Sequence, residues 1–189
     1  RRGALALFGA GAAGGARIIF HGGQVSPVGA AMAGAFTVDA VDAHDTTSPC
    51  KGHAGSAVFP ALLAFADAVE RPVTGQEFAV WLAIAYEVSY RAGLAQHATC
   101  ADYHTSGAWT STGVAVGIAR ALGLSEVQIR HAAGIGEFHG PRSQMMRCID
   151  HPTMLRDGVG WGAPSGVTAA YLAAEGFTGA PALTCEQAP

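Results

Sequence analysis

Glycine is spread through this sequence at about twice its usual frequency, and this feature limits the possible folds more than any other. The chain of 189 residues contains 26 glycines, against a usual share of about 7%. They follow no three-residue period, which excludes a collagen-like helix. Half of the residues are hydrophobic and only 13% are charged, which excludes a disordered chain. We therefore expect closely packed helices rich in small residues.

Charge and hydropathy exclude two classes of partner. A net charge of -3 and a pI of about 6.2 provide no basic surface for nucleic acid. The most apolar run, 4–16, is interrupted by glycines and is shorter than the roughly 20 residues that a membrane span needs. The four cysteines are far apart, with no Cys-x-x-Cys spacing. We interpret them as reduced thiols of a cytoplasmic protein.

Helix start and stop signals divide most of the chain. They predict six helices, over about 27–43, 54–70, 75–91, 107–122, 126–137 and 161–175. Segment 26–27 has an N-cap serine followed by proline, and segments 74–77 and 125–128 are capping boxes. Gly176 is placed to end the last helix. Only 17–20 suggests a short strand, so the predicted fold class is an all-α, multi-helix bundle.

The first cluster of polar residues lies in the loop expected between the first two helices. It contains two carboxylates and two imidazoles, Asp42, Asp45, His44 and His53, together with the ammonium of Lys51. A carboxylate can orient an imidazole, and an imidazole can transfer protons near neutral pH. Lys51 and the N-terminus of the following helix can each hold an anion. The alternative is a polar loop whose side chains only cap local turns.

Two further clusters follow along the chain. Segment 102–107 places His104 just before a helix of small residues. Its ring can point into a cavity, or the segment can serve only to cap the helix through Asp102 or Thr105. Segment 139–157 lies in a stretch, 138–158, that we expect to be irregular, and it contains three arginines. Because a guanidinium matches a carboxylate in bidentate geometry, these arginines indicate an anionic ligand, an interface, or a solvated surface loop.

Several common site motifs are absent from the sequence. It contains no His-Glu-x-x-His and no Cys/His quartet, so we expect no metal. It also has no Gly-x-Ser-x-Gly elbow. The glycine-rich segment 9–15 only imitates a dinucleotide-binding motif, because no strand is predicted before it and no acidic residue is placed after it.

The clusters, in their order, resemble a known protein family. The matching segments are 31–47, Gly52-His53, Pro60 with an Ala-rich helix, Tyr86-Glu87-Val88 with Arg91, 103–107, 120–124, 158–166 and 169–179. This ordered set covers nearly the whole chain and is similar to the MmgE/PrpD family. That family includes 2-methylcitrate dehydratase, cis-aconitate decarboxylase and iminodisuccinate epimerase.

The resemblance implies an architecture larger than this chain. Family members are roughly twice as long, which corresponds to about one further domain. They combine a large all-helical domain with a smaller α/β lid, and the active site lies between the two. Residues 1–189 are then expected to be a single helical domain, the central part of the helical half of a longer two-domain chain. Family members need no metal or organic cofactor and usually form homodimers.

The family's site residues carry over position by position. Its acidic motif, Asp-x-Asp-Asp-Thr, falls on 42–46, its next histidine on His53, and its second-cluster histidine on His104. Its basic residue before the glycine-rich helix, commonly lysine, falls near Arg156. Two positions depart from the pattern: the middle aspartate of the motif is His44, and an arginine in place of the lysine cannot act as a base.

The function implied by the resemblance is proton transfer next to a carboxylate of a small di- or tricarboxylate. We rank a 2-methylcitrate dehydratase-like lyase first, a decarboxylase or an epimerase of the same family next, and a non-catalytic helical scaffold as the other class. The residues expected to transfer or direct protons are His53, His104, Asp45 and Asp42. The residues expected to bind the substrate are Thr46, Lys51, Arg156 and His44.

Overall fold

The computed structural model describes residues 15–186, so the apolar run 4–16 and the glycine-rich segment 9–15 fall almost entirely outside the described residues. The described chain begins with a small antiparallel hairpin. Its strands are β1 (Ala16–Arg17) and β2 (Gln24–Val25), with Ala16 opposite Val25. All remaining regular structure in the described chain is helical.

The helices confirm the predicted all-α class. They are α1 (Pro27–Ala40), α2 (Gly55–Ala68), α3 (Gly75–Thr99), α4 (Gly107–Ala121), α5 (Glu126–His139), α6 (Met146–Asp150), α7 (Val159–Ala174) and α8 (Leu183–Glu186), with one 3-10 turn at Ser48–Cys50. None of the helices within 15–186 is long and apolar enough to cross a membrane.

The two capping boxes differ in the structure. At the start of α5 the box is complete, because Ser125 and Gln128 each cap the other's backbone N–H. At the start of α3 only half of the box forms. The Thr74 hydroxyl accepts from the N–H of Glu77, but the Glu77 carboxylate pairs with Arg71 at 2.6 Å instead of returning to the cap. A competing ion pair therefore removes the second half of that box.

Three predicted boundaries are wrong. Helix α3 does not end near 91 but continues to Thr99, and Gly93 within it lies against the Trp109 ring, where a Cβ would be 3.0 Å from a ring carbon. The strand expected at 17–20 is only part of a hairpin, and Phe20 adopts a left-handed conformation (φ 60°) in its turn. The stretch 138–158 is not wholly irregular, since it contains α6.

Helix α4 is the centre of the bundle and packs against α2, α3, α5 and α7. The small residues predicted to permit close packing lie at these contacts. Gly166 of α7 faces α4, where a Cβ would lie 2.5 Å from both the Ser111 carbonyl oxygen and the Val114 Cβ. The high glycine content is therefore a consequence of how closely the helices approach one another. This packing brings the end of α1, the start of α4 and the loop before α7 together.

Candidate active site

The loop between α1 and α2 is folded so that its two histidines lie face to face. Asp42, just beyond the end of α1, is left-handed (φ 57°) and turns the chain. A bridge between Thr47 and Gly52 then closes the loop. As a result, the His44 and His53 rings stack with centroids 4.1 Å apart and planes inclined by 21°.

His44 is held on both sides by carboxylates. Its Nε2 lies 2.9 Å from Asp39 Oδ1 and its Nδ1 lies 2.8 Å from Asp42 Oδ1. The Asp39 side chain is 1% exposed, whereas that of Asp42 is 77% exposed. The contact with Asp39 is a hydrogen bond, and because a carboxylate only accepts, His44 Nε2 is its donor. The other Asp39 oxygen is buried and has no partner.

The His53 ring forms its hydrogen bonds to the protein through Nδ1. Its Nδ1 lies 2.9 Å from the Asp45 carbonyl oxygen and 3.2 Å from the Thr46 hydroxyl. A carbonyl can only accept, so this contact assigns the proton of the neutral ring to Nδ1. Nε2 then carries the lone pair, which is the form that a general base requires.

Asp45 acts on a helix rather than directly on the imidazole. Its carboxylate accepts a hydrogen bond of 2.9 Å from the Gly55 N–H at the start of α2, where an anionic side chain is favoured by the helix dipole. The Tyr86 hydroxyl approaches the same carboxylate. Burial, followed by Asp45, raises the pKa of Tyr86 well above its ordinary value. Among the Asp45 groups, it is the backbone carbonyl that contacts His53.

A buried carboxylate from the third cluster reaches the same place. Asp157 is 5% exposed, and its Oδ1 accepts from the Ser106 N–H at 2.8 Å. The Ser106 hydroxyl in turn accepts from the His53 backbone N–H at 3.0 Å. Burial raises the pKa of Asp157, and the nearby Asp39 charge raises it further. The hydrogen bonds from Ser106 and the nearby His53 act in the opposite direction and lower this pKa. Asp157 Oδ2 has no partner.

Lys51 and His104 belong to a neighbouring group of contacts. Lys51 is exposed, its Nζ lies 6.0 Å from the centre of the Tyr103 ring, and its carbonyl oxygen accepts from the Tyr103 hydroxyl at 2.8 Å. His104 Nδ1 lies 2.9 Å from the Asp102 carbonyl oxygen. By the same reasoning as for His53, the neutral His104 ring keeps its lone pair on Nε2. His97 packs beside Tyr103, and burial followed by the Lys51 charge lowers its pKa.

A cavity of about 370 Å³ opens beside these contacts. Its lining includes Phe36, Thr105, Gln144, Arg147, Arg156 and Trp161. Arg156 connects the cavity to the histidines, because its Nη2 donates to the Asp39 carbonyl oxygen at 3.1 Å. Gln144 connects it to the second cluster through a backbone bridge with His104. The cavity therefore combines cationic groups with apolar walls, as small-molecule sites commonly do.

The structure brings some predicted site residues together and separates others. Thr46, His44 and His53 are in contact, Asp42 touches His44, and Arg156 reaches them through Asp39. The Asp42 contact is to His44 rather than to His53. Lys51 and His104 lie with Tyr103 and Gln144 instead.

Sequence reasoning missed Asp39 and Asp157 as members of the site. A single carboxylate within the otherwise apolar helix α1 was the available signal for Asp39. Asp157 was counted within the third cluster but was given no role. Within residues 15–186, no three His, Cys, Asp or Glu side chains are grouped so that they could hold a metal ion.

We compared the sequence with curated proteins and with models of protein families. No curated protein matches the chain significantly. The family model described as the MmgE/PrpD N-terminal domain matches residues 3–188, which is nearly the whole sequence. The match thus covers all three polar clusters and every described helix. The chain therefore belongs to the MmgE/PrpD family.

Proposed function

We propose that this chain carries the acid/base site of an enzyme that acts next to a carboxylate of a small di- or tricarboxylate. The most favoured reaction is that of a 2-methylcitrate dehydratase-like lyase, which needs neither a metal nor an organic cofactor. One observation carries the proposal. His53 has its Nδ1 on the Asp45 carbonyl, which leaves Nε2 for proton transfer, and a chain of contacts through His44 and Asp39 connects it to Arg156 of the cavity.

In this proposal His53 is the base that starts the reaction. Its Nε2 accepts the proton from the carbon next to a substrate carboxylate. Arg156 binds that carboxylate and stabilises the negative charge that develops on it. Arg156 stays protonated throughout, because a guanidinium does not exchange its proton in proteins. The exposed side chain of Arg156 donates one hydrogen bond to Asp39, and the other N–H groups of the fork serve the substrate.

His104 is the proposed acid in the dehydration. In this step His104 starts as the imidazolium, with Nδ1–H on the Asp102 carbonyl and a second proton on Nε2. As the carbon–oxygen bond breaks, the Nε2 proton converts the departing hydroxyl into water, and the electron pair of the broken carbon–hydrogen bond forms the carbon–carbon double bond. Lys51 and Thr46 are proposed to hold the remaining carboxylates. Burial raises the pKa of Asp157 close to His53, and a carboxylate perturbed in this way supports proton transfer here, since such groups cluster at functional sites.

Two other reactions can use the same groups. A decarboxylase would need the basic residues to hold one carboxylate while another leaves as carbon dioxide. An epimerase would need the two histidines to act on opposite faces of one carbon. A scaffold without chemistry is less well supported, because the cavity holds polar and cationic side chains rather than a closed apolar filling.

The test is turnover by the purified protein of 2-methylcitrate, cis-aconitate and iminodisuccinate, followed by NMR of the reaction mixture. We expect one of them to be consumed, and His53→Ala and His104→Ala each to lower kcat by about 10²–10⁴-fold, the usual contribution of a general acid or base. His21→Ala is the matched control, because this exposed histidine lies in the hairpin turn.

Two results would contradict the proposal. The first is that none of the three substrates is consumed. The second is that an activity is found but both active-site variants retain it. The NMR spectra also distinguish the three reactions. A dehydratase gives an unsaturated product and water, a decarboxylase gives carbon dioxide, and an epimerase gives a product with one inverted stereocentre.

We also propose the assembly that the family resemblance implies: a cytoplasmic homodimer in which residues 1–189 are one helical domain and a further segment supplies the lid. Support comes from Met154 and Leu155, which are 96% and 70% exposed near the cavity, since exposed apolar side chains grouped at a site mark surfaces that are covered in an assembly. Light scattering of the purified protein tests the dimer, and a monomer would contradict it.

A further inference from the structure

His44 is the residue at which this chain departs from the family's acidic motif, and its surroundings are unusually complete. Its side chain is only 10% exposed. Both of its ring nitrogens contact carboxylates, and one face of the ring is covered by His53. Every polar atom of this ring is therefore used within the protein, which leaves none for a substrate.

The contacts of His44 extend to both proposed reactive groups. On one side its ring stacks on His53. On the other, its partner Asp39 accepts from Arg156 through the backbone carbonyl. Asp39 thus joins the arginine of the cavity to the histidine that orients the base. The residues Arg156, Asp39, His44 and His53 form one continuous chain of contacts.

The charges around His44 come from several elements. Asp39 lies at the end of α1, Asp42 in the following loop, and Arg156 in the loop before α7. Asp157, from that same loop, is close enough to influence both Asp39 and His53 electrostatically. Between Asp39 and Asp42, the ring of His44 cannot rotate about its long axis without giving up its hydrogen bond to Asp39 and its close contact with Asp42. A hydrogen bond to a carboxylate contributes more than one between neutral groups.

We propose that His44 is a positioning residue, which holds the His53 ring in the one orientation that directs Nδ1 to the Asp45 carbonyl and leaves Nε2 free. This proposal rests on the function proposed above, in which His53 is the base. It differs from the expectation from sequence, in which His44 binds the substrate. A fixed ring plane matters because a misplacement of about 1 Å in a reacting group can cost on the order of 10²-fold in rate.

The first variant is His44→Gln, whose amide can still donate to Asp39 but cannot stack on His53. We expect kcat to fall by roughly 10–10²-fold, with KM changed by less than about twofold, because substrate carboxylates are held elsewhere. His21→Gln is the matched control and leaves both constants unchanged. Because a smaller fraction of folded protein would also lower the apparent kcat at unchanged KM, kcat is normalised to the folded fraction measured by circular dichroism. A residue that only supported folding would then keep the wild-type normalised kcat.

A second readout does not depend on turnover. Long-range ¹H–¹⁵N spectra of protein labelled at histidine nitrogen report the tautomer of each ring. We expect the wild-type His53 to be in the single tautomer with its proton on Nδ1, and His44→Gln to give a mixture of both tautomers. If His44→Gln does not fold, because the buried Asp39 carboxylate loses its histidine partner, the double variant Asp39→Asn with His44→Gln replaces the pair by two neutral amides and is measured in the same way.

The outcomes separate the two proposals. If wild-type protein consumes no substrate, the proposed function fails. The positioning role of His44 is then tested only by comparing the His53 tautomer in wild type and His44→Gln. An unchanged tautomer overturns the positioning role. If the protein is active and His53→Ala abolishes turnover while the His44 variants keep the wild-type kcat, the positioning role is overturned and the proposed function stands.

Discussion

Replacing Gly166 by alanine tests whether glycine is required by close helix packing. The residue lies within α7 and faces α4. An added Cβ would meet the Ser111 carbonyl oxygen at 2.5 Å, Val114 Cβ at 2.5 Å and Val114 Cγ1 at 2.7 Å. The first two atoms belong to the helix backbone or are bonded directly to it, so a change of rotamer cannot relieve the contact. The two helices must move apart.

Two opposing effects set the size of the change. Alanine in a helix interior is more favourable than glycine by about 1 kcal/mol. Overpacking of a well-packed core costs typically about 1–3 kcal/mol, and the fixed atoms at Gly166 place this site at the upper end of that range. We therefore expect a net loss of about 2 kcal/mol in the free energy of unfolding. For a protein of this size that corresponds to a fall of about 4–8 °C in Tm.

The assay is denaturant unfolding followed by circular dichroism of wild type, Gly166→Ala and a control. Gly75→Ala is the control because no other atom lies within 4 Å of the position that its Cβ would take. It should leave stability unchanged or raise it by up to about 1 kcal/mol. If Gly166→Ala is as stable as wild type, or more stable, the argument that glycine permits this helix contact is wrong.

Three further variants test the surroundings of the site. Because burial raises the pKa of Asp157, its contribution to stability is full below its unfolded pKa and is lost as pH rises through the higher folded value. Asp157→Asn should therefore gain stability relative to wild type between about pH 4 and pH 7, and unfolding at both pH values measures this. Tyr86→Phe removes the hydroxyl that approaches Asp45 and should cost about 1–3 kcal/mol in the same assay. Gly158→Ala forces a side chain into a left-handed conformation (φ 72°) and should cost about 1–2 kcal/mol. Because Gly158 lines the cavity, the change should also weaken binding of 2-methylcitrate in calorimetry, and an unchanged affinity would separate this turn from the cavity.

The contacts around His44 and His53 show which neighbours could be expected from the sequence and which could not. His44, Asp42 and His53 are near one another in sequence, so a loop dense in titratable groups was enough to identify them. Asp39 is only five residues from His44, but it lies inside a predicted apolar helix, where sequence gives no reason to expect a site residue. Asp157 is far along the chain, and it reaches this place only because the start of α4 and the loop before α7 meet the loop that carries His53.

The partners of each group were also beyond local reasoning. Asp45 was expected to orient an imidazole with its carboxylate, yet that carboxylate accepts from Gly55, and the carbonyl is what contacts His53. The same residue can satisfy either partner in an isolated loop. The start of α2 determines the choice, since the unpaired N–H groups of a helix N-terminus attract the nearest anionic oxygen.

By itself, the sequence determined that this chain is helical, low in charge and closely packed, and that its polar residues gather at helix ends. These properties follow from local chemistry: capping residues, small side chains and the spacing of glycines act over a few residues. Only the tertiary structure decided which ends of helices meet, how far α3 extends, and that two buried carboxylates accompany the stacked His44 and His53. The meeting of helix ends and the position of Asp157 depend on contacts between residues far apart in the chain, and the close approach of helices at positions such as Gly166 makes those contacts possible.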